Sequence, residues 1–103
     1  MLVVTTEQIN GKELEMLGVV QGSTIQSKNA FKDIGQGFKS MVGGELKSYT
    51  DMMNQARAVA HQRMVTQAQA MGADAIVGMR YSSSSVMQGA AELLAFGTAV
   101  KFK

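Results

Sequence analysis

Apolar residues form short runs or alternate with polar ones over four stretches, and recur at helical spacing over two more. Leu2 to Thr5 is short, apolar and β-branched, which predicts a strand. Asn10-Gly11 marks a turn after it. From Leu14 to Ser27 the chain alternates again, with Leu17, Val19 and Ile25 expected on one face and Met16, Val20 and Thr24 on the other. Gly18 and Gly22 sit inside this strand, where a glycine marks a bulge or a close backbone approach.

The period then lengthens. Asn29 can cap a helix carrying Phe31, Ile34, Phe38 and Met41 on one side, and Gly43-Gly44 is expected to end it. Ser48 or Thr50 can cap a second, longer helix with Asp51 in its first turn, running to Met71 and stopping at Gly72. Asp51, Gln55, Gln62 and Gln69 give this helix a wet face, whereas Met53, Ala60, Met64 and Met71 form a stripe. Met52, Val59 and Ala70 lie beside the stripe and Val65 and Ala68 elsewhere, so the apolar surface is wider than one sheet contact needs. Ala73 to Ser85 starts as an apolar strand and turns polar at Ser82 to Ser85. Gly89 marks a loop. Glu92 to Phe102 is the last strand, with Leu94, Phe96, Thr98, Val100 and Phe102 on one face and the smaller Ala95, Gly97 and Ala99 opposite, beside Leu93.

The expected order is ββααββ: an α+β fold with about four strands in a mixed or antiparallel sheet, packed by one long and one shorter helix. At 103 residues and 11.0 kDa the chain is one domain, residues 1–103, with little depth for an internal active site. Composition sharpens this. Apolar residues make up 46% but charged residues only 17%, which leaves little polar material for the surface and favours a buried interface between subunits. The net charge of +2 comes from scattered lysines and arginines with no phosphate-tracking run, so neither nucleic acid nor membrane is an expected partner. No stretch is apolar enough to span a bilayer, and the N-terminus lacks a signal-peptide pattern, so a cytoplasmic location is expected.

Candidate chemistry is sparse. The chain has no cysteine, which removes disulfides, thiolate metal sites and cysteine nucleophiles. His61 is the single histidine, and no acid stands three or four residues from it to orient a general base. The serines at 82–85 lack a nucleophile-elbow context. Gly35-Gln36-Gly37 and Gly43-Gly44 match no phosphate-binding pattern, although Gly43 and Gly44 precede a helix start, where an anion could sit. Nine methionines raise a soft-metal alternative, with Met52, Met53, His61 and Met64 as Cu(I)-type ligands, but methionine also fills irregular cores.

Gly43-Gly44, Tyr49, the block Ala68 to Gly78 and Gly97 to Val100, together with Asn29 to Ile34, resemble the YbjQ family over nearly the whole chain. The resemblance implies a compact α+β subunit in a ring, a pentamer or a stacked multiple of it, and brings a heavy-metal-binding label. It also implies acidic residues in the strand after Gly72-Ala73-Asp74-Ala75, where this chain has Met79-Arg80-Tyr81-Ser82. The reading is therefore a non-enzymatic, homo-oligomeric binding or scaffold protein without a cofactor. Any small ligand would be held at a subunit boundary by Gly43, Gly44, Tyr49, His61 and Arg80.

Overall fold

A computed structural model of the chain describes residues 1–27, 43–87 and 90–103. Four strands, β1 (Leu2–Val3), β2 (Leu14–Ser27), β3 (Ala75–Met87) and β4 (Ala90–Phe102), form one sheet in the order β1-β3-β4-β2. β4 pairs antiparallel with both β2 and β3, and β1 runs parallel to β3, so the sheet is mixed. One helix, α1 (Gly43–Ala70), lies across one face. The order along the described residues is thus ββαββ. The shorter helix expected between Asn29 and Met41 lies outside them, so the ββααββ order is not supported.

Gly43-Gly44 was expected as a turn ahead of a cap at Ser48 or Thr50, but both glycines belong to α1 itself. The first-turn amides of a helix have no intrahelical partner in any case, so glycine is less disruptive there than in a helix interior. The other end of α1 agrees with expectation. Gly72 takes a φ of +77°, its amide donates to Gln69 and the Ala73 amide donates back to Ala68.

The core lies between α1 and the sheet. Val20, Ala60, Met64, Ala68, Ile76, Ala95 and Ala99 are fully buried there. Ala60 and Met64 come from the expected stripe, but Ala68 and Val65 join them while Met71 is exposed, which moves the packed face partway round the helix. The approach is closest at Gly22, where a Cβ would fall on the Ala60 carbonyl and the Met64 amide. Only glycine lets the strand backbone come so near a helix. On β4, the Cγ2 of Ile76 fills the space over Gly97.

One expectation about β2 fails for a specific reason. The register against β4 shifts between Met16 and Gly18, and Gly18 has a φ of +142°. This bulge inserts one residue, so alternation carries across it with reversed parity. Leu17 therefore packs on the helix-side core with Val20, whereas Met16 pairs with Val100 on the opposite face. Among the described residues, that opposite face is covered at one end. There Val4, Ile9, Leu14 and Phe102 close over Ala75, Val77 and Val100.

Candidate functional site

α1 packs chiefly on β2 and β4 and barely touches β3. Among the described residues, the helix-side surface of β3 beyond its bulge at Gly78 therefore has little cover from α1. Tyr81, opposite Ala95, stands on this surface and is 46% exposed, with exposed Ser83 two residues on. From α1, the half-buried His61 places Nδ1 3.3 Å from the Tyr81 hydroxyl. Arg57 precedes His61 by one helical turn on the same flank, and its guanidinium donates to the Asn54 side-chain oxygen. Imidazole and phenol thus meet between α1 and β3, with Arg57 one helical turn away. They supply hydrogen-bond donors and acceptors and an aromatic face, and the described partner of His61 is this phenol rather than a carboxylate that would make it a general base.

Arg80 does not join this group. Alternation puts it with Phe96 on the opposite face of the sheet, and its guanidinium donates to the Thr5 and Met79 carbonyls at 2.9 and 2.8 Å. There it ties the N-terminal segment to β3. Gly43, Gly44 and Tyr49 lie in the first two turns of α1, more than two turns ahead of His61. The side chain of Tyr49 lies outside the described residues. Of the methionines named as soft ligands, Met64 is fully buried in the core, and Met52 and Met53 are half-buried more than two turns from His61. Among the described residues, no group of three His, Cys, Asp or Glu side chains converges as a metal cluster.

Two features were not singled out from the sequence. The partner of His61 is Tyr81, twenty positions away on strand β3, and the pairing of β3 with β4 places it there. A cleft of about 590 Å³ also opens at the far end of the sheet, walled by Glu7, Asn10, Lys12 and Met16. The Asn10-Gly11 turn was its one signal, and Lys12 is held over the Phe102 ring at 5.0 Å from its centroid.

Asp74 has a structural role. Its carboxylate accepts the Phe102 amide at 2.8 Å, and its own amide donates to Val100 at 2.8 Å. The Gly72-Ala73-Asp74-Ala75 block is thus a clamp between the end of α1 and the end of β4. No helix among the described residues is long and apolar enough to cross a membrane.

The family model YbjQ_1, described as "Putative heavy-metal-binding", matches residues 1–103. A protein of Alkaliphilus metalliredigens named "UPF0145 protein" is 62% identical over 102 residues, covering 99% of each chain. A relative from Clostridium novyi, also named UPF0145, is 55% identical over 101 residues, covering 98% of each. Among solved structures, a protein of unknown function from Pediococcus pentosaceus, assigned to the DUF74 family, aligns with a TM-score of 0.70 over 100% of this chain and 98% of its own. At 18% identity that likeness speaks for the fold alone.

Proposed function

The chain belongs to the YbjQ family, and from that premise we propose that it is a non-enzymatic, ring-forming homo-oligomer, a pentamer or a stacked multiple of one, that binds a ligand or partner at its subunit boundaries. The supporting observation is the outer strand β2. It is long, it lies at the sheet edge, and on its open face Met16, Val19 and Ile25 are 60%, 73% and 61% exposed. A long edge strand with exposed apolar side chains is a template for another chain. The molecule is also extended, 55 × 25 × 17 Å with a radius of gyration of 16.8 Å, against about 13 Å for a compact domain of this length. Such a shape leaves much surface for neighbours.

The His61–Tyr81 pair is the better ligand candidate, since Arg80 is engaged on the other face. Native mass spectrometry of purified protein tests the reading. A single multi-copy mass is expected, with any retained ligand seen as an adduct, and a bare monomer contradicts it.

A second reading, soft-metal binding, takes its support from the family's printed description. Within one subunit it would have to join His61 to Met64, whose sulfur chain is committed to the core. Competition against a weak Cu(I) chelator decides it, and no transfer of Cu(I) to the protein ends it.

A further inference from the structure

Two edges of the sheet lack a strand partner among the described residues. On one side β1 pairs with β3 only at Ala75 and Ile76, and bonds between Val4 or Thr6 and Ile76, Gly78 and Met79 carry the contact as far as the bulge. From Arg80 onward, β3 meets no described strand on that side. On the other side the outer edge of β2 meets no described strand. There the Gln21 amide donates to the Gln67 side chain and the Ser23 carbonyl accepts from Arg63, so these groups point away from β4. By alternation, Val19 and Ile25 point the same way.

The two edges are complementary in three respects. β2 and β3 both run antiparallel to β4, so they run parallel to each other. The outward backbone positions of β2 carry side chains on the open face, whereas those of β3, Tyr81 and Ser83, carry theirs on the helix side. Parallel pairing that keeps both helices on one side of the sheet requires this opposite assignment, because facing residues in a parallel ladder are offset by one. Finally, α1 reaches the β2 edge through Arg63 and Gln67, whereas among the described residues it makes little contact with β3.

We infer that the β2 edge of one copy pairs in parallel with residues 80–85 of the next copy, and that the Arg63 and Gln67 flank of α1 covers that neighbour's exposed Tyr81 and Ser83. This rests on the ring reading above and names its contact surface. The contact is head-to-tail and therefore closes into a ring when the rotation allows. Gln67 and Arg63 hold the edge groups in the single chain, and as long, exposed side chains they can yield them to the incoming strand. Tyr81 then lies between His61 of its own chain and α1 of the neighbour. The His61–Tyr81 pair then sits at the subunit boundary.

Two proline variants test this pairing. Gln21→Pro and Ser83→Pro each remove one outward amide and leave the ladder to β4 intact, a position where edge strands tolerate proline. Native mass spectrometry should show the wild-type assembly falling to monomer in both variants, with unchanged far-ultraviolet circular dichroism. Because a proline variant could simply misfold, a second measurement stands beside it. The chain has no native cysteine, so Ser23→Cys combined with Ser82→Cys or Ser84→Cys reports proximity cleanly. Within one chain Ser23 and Ser82 flank Leu94, two strand spacings or about 9.6 Å apart, beyond disulfide reach. Mild oxidation should give a ladder of covalent multimers on a non-reducing gel. A wild-type ring whose proline variants stay assembled, or whose cysteine variants give only the monomer band, overturns the edge pairing and leaves the ring standing. A monomeric wild type overturns both.

Discussion

The two faces of this sheet are built from the same three long strands, yet they have opposite fates. On the helix side, Val20, Gly22, Ala95 and Ala99 are small or fully buried, and α1 approaches until backbone meets backbone at Gly22. On the open side, the N-terminal segment covers one end over Val77 and Val100, while Val19 and Ile25 remain largely exposed. Small residues let the helix side finish its packing within one chain. The open half and the two strand edges carry apolar and hydrogen-bonding groups that the described residues leave uncovered. The contrast separates what packs the core from the surface on which the proposed assembly rests.

Substitutions sharpen the contrast, beginning with the most severe. Gly22→Val places side-chain atoms on the Ala60 carbonyl and the Met64 amide, which are backbone atoms that cannot step aside. A loss of about 4 kcal/mol or more is expected, at the extreme of single substitutions, read by urea denaturation or as failure to fold. Met64→Ala empties a fully buried site in the same layer and should lower stability by about 2–5 kcal/mol in the same measurement. Asp74→Ala removes the acceptor of the Phe102 amide and should cost about 1–3 kcal/mol, seen as a lowered Tm. On the open face the order of effects reverses. Val19→Lys with Ile25→Lys should change subunit stability by less than about 0.5 kcal/mol each, yet shift the sizing profile from assembly to monomer. Tyr81→Phe should be close to neutral, at most about 1 kcal/mol, because the long contact to His61 lies on an exposed surface. Were the open-face pair to destabilise the subunit as much as Met64→Ala, the division between the faces would be wrong.

The sequence made the helix side readable because its signals are local. Alternation ran unbroken enough to bound β2 at Leu14–Ser27, and Gly72 marked the end of α1. Gly18 signals a bulge in the sequence, but simple alternation takes no account of the residue it inserts, so it puts Leu17 and Met16 on the wrong faces. The start of α1 escaped because glycine pairs usually punctuate helices, whereas here Gly43-Gly44 occupy a first turn that makes few demands on them. The candidate residues depended on distances that no local pattern carries. His61 was visible as the only histidine, but Tyr81 as its neighbour required the β3–β4 register, and Arg80 went to the far face through the bulge at Gly78.

Amide hydrogen exchange, read residue by residue at protein concentrations above and below assembly, tests most directly that the unfinished edges are completed by other copies. The amides of Val19, Ile25, Tyr81 and Ser83 point outward from the sheet, unlike those bonded to β4. The account predicts that these four become protected together as concentration rises, while the amides of Val20 and Ala95 are protected throughout. Exchange of the four outward amides at the rate of an open chain, at every concentration, would contradict it.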